Sequence, residues 1–279
     1  MTIIIITAIF ALLLAFVLGT ALGFFRDFFA VPQDPLMDSI RSVLPGANCG
    51  ACGYPGCDNY AKAIASGSAN INACTVGGAA VAEQLAQITG KSGGKVQQEI
   101  AVLACRGSYI HAAQKGTYTG IKSCRGAKLA AGSTKLCSWG CLGFGDCAQV
   151  CAFGALSMDT EKGLPIIDYT KCTGCRMCIN ECPQNLLTGV AKNQKGAKIL
   201  CANRSANRQG IIKTCKIACI KCGACVKNCP MQCIDLSTNI PVVDLDKCTS
   251  CGTCVEKCPT KVFKIIERDI FQNIRQQTV

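Results

Sequence analysis

KCTGCRMCINECP, residues 171–183, decides how this chain folds. Cys172, Cys175 and Cys178 stand with two residues between neighbours, Cys182 follows after three more, and Pro183 comes next. Sulfurs so closely spaced converge on one small object. In runs of this form the first three cysteines hold one cubane iron–sulfur cluster and the fourth reaches across to a neighbouring one. Zinc is the competing reading, but tetrahedral zinc generally takes its ligands as two separated pairs. The form recurs at Cys219, Cys222, Cys225, Cys229 with Pro230, and at Cys248, Cys251, Cys254, Cys258 with Pro259.

Around these runs the chain repeats itself. LPIIDYTKCTGCRMCINECP (164–183) matches IPVVDLDKCTSCGTCVEKCP (240–259) without a gap at an offset of 76, and KLCSWGCLGFGDCAQVCAFGAL (135–156) aligns with KTCKIACIKCGACVKNCPMQCI (213–234) at an offset of 78. Two copies of one module of about 50 residues are therefore expected. Ile166-Ile167 and Val242-Val243 read as short strands, and the cysteine loops lead into short helices. With only 6% aromatic residues the chain lacks material for a large apolar core. The expected fold is a set of small α+β iron–sulfur domains, with two tandem ferredoxin-like modules of two 4Fe-4S clusters each.

Exchange of the fourth ligand assigns Cys219, Cys222, Cys225 and Cys258 to one cluster and Cys229, Cys248, Cys251 and Cys254 to its partner. In the earlier module Cys151 joins Cys172, Cys175 and Cys178. The other cluster of that module is irregular, because Phe144 aligns with Cys222 and cannot ligate iron. Cys141, Cys147 and the crossing Cys182 then need a fourth sulfur. Cys137 is expected to supply it, folded back through Gly140; the alternative leaves a three-iron cluster and two structural cysteines, Cys137 and Cys215. A separate group, NCGACGYPGC (48–57), places Cys49, Cys52 and Cys57 with Cys74 as a further ligand set. Five 4Fe-4S clusters result. Cys105, Cys124, Cys201, Cys215 and Cys233 are left without a role, although Cys105 and Cys201 each end an apolar run and belong to equivalent strands. Cys233 aligns with Ala155 and reads as a small buried hydrophobe.

The formal charge of +12 would ordinarily suggest nucleic acid or an anionic surface. Each four-thiolate cluster carries about −2, so five clusters bring the protein to about +2 and remove most of that reason. The single His111 excludes a Rieske centre, and no CxxCH stands in the chain for covalent haem. Nine basic residues and no acidic one lie between Lys192 and Lys227, including Lys198, Arg204, Arg208, Lys213 and Lys221. Such a stretch is either a solvated face or a docking face for an acidic electron carrier.

Residues 2–25 carry no charge and would span about 36 Å as a helix, enough to cross a bilayer. A signal peptide is the rival reading, but no basic region precedes the stretch. Gly19 and Gly23 form a GxxxG pair that would admit a partner helix. Basic residues follow the helix, and cluster assembly needs a reducing compartment, so the body is expected on the cytoplasmic side. The expected organisation is a transmembrane helix over 1–25, a single-cluster domain over 26–90, a linker with short strands over 91–134, ferredoxin-like modules over 135–190 and 191–267, and a tail over 268–279. TGKSGGK (89–95) lacks the order of a phosphate loop and reads as flexible linker.

The order of the uncharged helix, NCGACGYPGC with Cys74, CSWGCLGFGDCAQVCAFGAL and the paired runs resembles the B subunit family of the Rnf complex, a bacterial ferredoxin:NAD⁺ oxidoreductase coupled to Na⁺ or H⁺ translocation. The resemblance implies a non-catalytic electron-transfer subunit of a translocase in the cell inner membrane. It would take electrons from soluble ferredoxin and relay them to membrane and flavin-bearing subunits. No GxGxxG fingerprint follows an expected strand, so NAD would bind elsewhere. One uncharged helix cannot form an ion path, so translocation would also lie elsewhere. Two other classes compete: the iron–sulfur subunit of another membrane-bound anaerobic reductase or dehydrogenase, and a Cys-rich zinc protein that binds nucleic acid.

Overall fold

A computed structural model describes residues 2–29, 34–91, 94, 96 and 98–266. The tail at 268–279 and residues 92, 93 and 95 of TGKSGGK lie outside the described residues. Helix α1, Thr2–Phe28, presents Ile3, Ile6, Phe10, Leu13, Val17 and Phe24 outward, and its apolar stretch Ile3–Arg26 buries nothing against the rest of the chain. A helix that is apolar all round and satisfies its own backbone fits a membrane anchor.

Three helices follow: α2 (Pro35–Val43), α3 (Cys57–Ala65) and α4 (Gly78–Thr89). Pro35 occupies the first turn of α2, where its missing N–H costs nothing, and Asp34 accepts the Leu36 N–H at 2.9 Å. These helices close on Ile40, Leu44, Tyr60, Ile64 and Leu85. Tyr60 is almost wholly buried, and its hydroxyl donates to Asn70 O at 2.7 Å and accepts the Ala73 N–H at 3.2 Å. One side chain thereby ties down the loop that ends in Cys74.

The remainder is a duplicated α+β unit. The first copy comprises β1 (Glu99–Leu103), α5 (Cys124–Ala131), α6 (Asp146–Gln149), β2 (Leu156–Asp159), β3 (Leu164–Ile167), α7 (Met177–Glu181) and β4 (Leu187–Ala191). The second comprises β5 (Ala197–Ile199), α8 (Arg208–Thr214), α9 (Ala224–Lys227), β6 (Ile234–Asp235), β7 (Val242–Val243), α10 (Thr253–Glu256) and β8 (Phe263–Ile265). In each copy the first strand pairs antiparallel with the last, β1 with β4 and β5 with β8, while the inner strands form a hairpin, β2 with β3 and β6 with β7.

This topology corrects the expected linker over 91–134. Strand β1 lies within that span, yet it completes the first module, with Glu99 opposite Ala191 and Leu103 opposite Leu187. Ile100, Ala101 and Val102 are buried there, so removing β1 would strip the apolar cover from β4.

Candidate metal centres

One local device repeats four times. A residue in the left-handed region, Gly145, Arg176, Gly223 or Gly252, precedes a helix of four or five residues whose second residue is a cysteine: Cys147, Cys178, Cys225 or Cys254. The reversal before each helix swings that cysteine back over the loop carrying its companions. Glycine adopts this conformation without strain. Arg176 does so at φ 63° with a forked ion pair to Glu99 of β1, both contacts at 2.8 Å.

In the N-terminal group Cys49, Cys52, Cys57 and Cys74 come together. Burial raises the Cys74 thiol, and the sulfurs of Cys52, Cys49 and Cys57 add to the rise, while the Gly77 N–H donates to Cys74 Sγ at 3.3 Å. Asn48 Oδ1 accepts the Cys57 N–H at 2.8 Å and so holds the start of α3 against the loop. Gly56, at φ 133°, makes that turn, and a Cβ there would stand 3.3 Å from Asn48 Oδ1.

In the first module Cys151, Cys172, Cys175 and Cys178 line one cavity. The Ala101 N–H reaches Cys172 Sγ at 3.5 Å and the Ala155 N–H reaches Cys151 Sγ at 3.3 Å. A second cavity is lined by Cys124, Cys141, Cys147 and Cys182, together with Leu103, Leu142 and Met158. Burial pushes the Cys147 thiol up to about 12, with Cys124 and Cys182 as the next contributors. Cys124, and not the expected Cys137, shares this cavity with Cys141, Cys147 and Cys182, while Cys137 lines a different one.

The reason for this correction lies in an excursion of the chain. From the cysteine after β1 to Cys137 there are 18 more residues than from Cys201 to Cys215, and the extra length carries both Tyr118 and Cys124. Tyr118 packs on Phe144 with ring centroids 5.5 Å apart, so the residue aligned with Cys222 is engaged elsewhere. Cys124 opens α5, and Asp146 at the start of α6 accepts its N–H at 2.8 Å. A local signal existed in Ser123, which caps α5 by accepting the Gly126 N–H at 2.9 Å.

In the second module burial pushes the Cys219 thiol up to about 11, with Cys201, Cys225 and Cys258 adding to the rise, and burial raises Cys225, with Cys222 and Cys258 adding to it. Burial likewise takes Cys254 to about 11, followed by Cys248 and Cys251. Cys229 Sγ lies 3.5 Å from Cys233 Sγ, whose other sulfur neighbour is Cys248. Cys222 and Cys251 are the two exposed cysteines of the chain.

These donor sets suit cubanes better than single ions. Among the described residues, no group of three or more His, Cys, Asp or Glu side chains stands close enough to hold one metal ion. Tetrahedral zinc at about 2.3 Å would draw its sulfurs to about 3.8 Å from each other, whereas a cubane takes each thiolate on a different iron. Burial of Cys74, Cys147, Cys178, Cys219 and Cys254 disfavours their free thiolates, so iron bound there would displace protons.

Residues 44–76 match the family described as "Putative Fe-S cluster", residues 165–188 the 4Fe-4S binding domain, and residues 218–262 the 4Fe-4S dicluster domain. The chain is 41% identical to the B subunit of the Na(+)-translocating ferredoxin:NAD(+) oxidoreductase complex of Acetobacterium woodii, over 83% of this chain and 68% of that protein. It is 36% identical to the B subunit of the ion-translocating oxidoreductase complex of Methanosarcina acetivorans, over 84% of this chain and 88% of the relative. With the B subunit of the proton-translocating ferredoxin:NAD(+) oxidoreductase complex of Clostridium ljungdahlii the identity is 39%, over 83% and 81%. The chain belongs to the family of B subunits of ion-translocating ferredoxin:NAD(+) oxidoreductase complexes.

Proposed function

We propose that this electron-relay subunit passes electrons along 4Fe-4S clusters held by five cysteine sets. These are Cys49, Cys52, Cys57 and Cys74; Cys151, Cys172, Cys175 and Cys178; Cys124, Cys141, Cys147 and Cys182; Cys219, Cys222, Cys225 and Cys258; and Cys229, Cys248, Cys251 and Cys254. The observation that carries the reading is adjacency between sets. Burial raises Cys175 and Cys49 adds to it; Cys147 contributes to Cys178, and Cys225 contributes to Cys254. When bound, each cluster takes up and releases one electron at a potential set by hydrogen bonds and exposure. The chain's part is to hold the sulfurs: the N–H groups of Gly77, Ala101, Ala155 and Leu186 donate to Cys74, Cys172, Cys151 and Cys182 and favour their negative charge.

Soluble ferredoxin docks at the second module in this reading. Both exposed cysteines are there, and seven of the nine basic residues from Lys192 to Lys227 are exposed in the same module. Lys221 is buried and Lys198 half-buried, so neither belongs to the face. Helix α1 crosses the bacterial inner membrane once, with the body on the cytoplasmic side, and the Cys49 set stands nearest the membrane and flavin-bearing subunits. Nucleic acid is not a partner, since the clusters offset most of the basic charge. The test is reduction of the purified complex by ferredoxin across a salt series: the rate should fall several-fold between about 0.05 and 0.5 M salt. Lys213→Glu should lower it at low salt, and a rate indifferent to both would remove the docking face.

A further inference from the structure

With Cys124 rather than Cys137 in the irregular set, five cysteines stand outside the five sets, and four of them meet. Cys105, Cys137, Cys201 and Cys215 line one cavity at the seam of the two modules, with Lys135, Asn203 and Gly107 among its walls. The seam is closed by backbone pairing: Ala112 bridges Cys215, Ala113 N–H donates to Thr214 O at 3.0 Å, and Lys216 N–H donates to His111 O at 2.9 Å. A Cβ placed on Gly107 would stand 3.5 Å from Cys215 Sγ and 3.7 Å from Cys105 Sγ, which puts one sulfur of each module at the same spot.

The four positions are related by the internal repeat. Cys105 and Cys201 each come two residues after an equivalent strand, β1 or β5, and Cys137 and Cys215 share the offset of 78. The hydrogen bonds repeat as well. Cys141 N–H donates to Cys105 Sγ at 3.5 Å, and Cys219 N–H, 78 residues on, donates to Cys201 Sγ at 3.4 Å. Asn203 Nδ2 approaches Cys137 Sγ at 3.7 Å. Cys137 and Cys215 are buried and Cys105 and Cys201 half-buried; four thiols acting only as small hydrophobes would need neither N–H donors nor a common cavity.

A buried cation adds a separate argument. Lys135 is wholly buried, its Nζ donates to Gly107 O at 2.7 Å and lies 5.4 Å from the Tyr109 ring centroid, and among the described residues it has no carboxylate partner. An ammonium taken out of water needs a compensating negative charge. Four thiolates around a cubane supply about −2 there.

We infer that Cys105, Cys137, Cys201 and Cys215 hold a sixth 4Fe-4S cluster, two ligands from each module, which bridges the Cys141 set to the Cys219 set. Twenty-four of the 25 cysteines are then ligands and Cys233 alone is a structural thiol. Six clusters at about −2 each also bring the formal charge of +12 to about zero. Burial raises the Cys137 thiol, a backbone N–H bond at Trp139 opposes the rise, and Cys105, Cys201 and Cys215 add to it. The bridging role rests on the relay proposed above, whereas the presence of iron does not.

The test is metal analysis of the full chain prepared anaerobically, with EPR of the reduced state. About 24 irons per chain are expected, falling to about 20 in Cys215→Ala and in Cys201→Ala, with one EPR component lost and the others kept. Cys233→Ala should keep all of them. About 20 irons in the unsubstituted chain, or 20 irons with one zinc, would overturn the site. So would an unchanged iron content in both alanine variants. If a variant loses all its iron, the count on the unsubstituted chain decides: 24 supports the site and 20 overturns it. Salt-independent reduction by ferredoxin would count against the docking face and leave this result standing.

Discussion

The Asp146 carboxylate accepts the backbone N–H of Cys124 at 2.8 Å, across 22 residues of chain. It also accepts the Arg125 N–H at 3.1 Å, so two donors at the start of α5 end on one buried acid. A negative group there complements the helix dipole as well.

Removing the acid should therefore loosen the irregular cluster. Asp146→Ala leaves the buried Cys124 N–H and the part-buried Arg125 N–H without this acceptor, at a cost of about 1–3 kcal/mol. Thermal unfolding should come several degrees earlier, and iron should leave faster under a chelator. Cys124→Ala should cost about four irons while the remaining EPR components persist. Full iron content in Cys124→Ala would return Cys137 to consideration as the ligand.

Arg176 tests the repeated turn. It holds φ 63° where the three equivalent positions have glycine, and its ion pair with Glu99 is partly exposed. The exposed pair contributes at most about 1 kcal/mol, while the left-handed conformation costs a non-glycine residue about 1–2 kcal/mol. Arg176→Gly is expected to unfold near the unsubstituted protein, and Arg176→Ala about 1 kcal/mol earlier, because alanine loses the pair and keeps the strain. Chemical denaturation of the two variants side by side measures the difference.

Exposure of Cys222 and Cys251 predicts the order of oxidative damage. Oxygen and chelators reach the second module first, so about eight irons should leave before the rest on exposure to air. Iron released against time, with EPR at intervals, would show it. Simultaneous loss from all sets would mean that these two sulfurs are shielded in the complex.

Deletion of residues 1–25 should release the chain from membranes and keep its iron, because α1 contributes no cysteine and buries nothing against the body. Fractionation followed by iron analysis checks both halves of the expectation.

Tyr60→Phe isolates the loop that delivers Cys74. The hydroxyl's bonds to Asn70 O and the Ala73 N–H are lost, which costs about 1–2 kcal/mol in the N-terminal unit. Cluster loss there should precede loss from either module, as followed by EPR during warming.

Spacing alone determined the three cysteine–proline runs, the NCGACGYPGC group, the duplication and the apolar helix. Ligands two or three residues apart must converge whatever the rest of the chain does, and a 3.6-residue helix of uncharged side chains needs no partner to be legible. Only the tertiary structure decided the rest. Phe144 announced that a sulfur was missing, but Cys124 reaches the same cavity from an excursion tied down by Asp146 and Tyr118. Strand β1 finds β4 more than eighty residues later, which no local pattern encodes. Cys105, Cys137, Cys201 and Cys215 look solitary in the sequence because their convergence is made by the pairing of two folded modules across a seam. Local geometry is set by bond lengths and short spacings, and long-range convergence by which surfaces of two finished units bury each other.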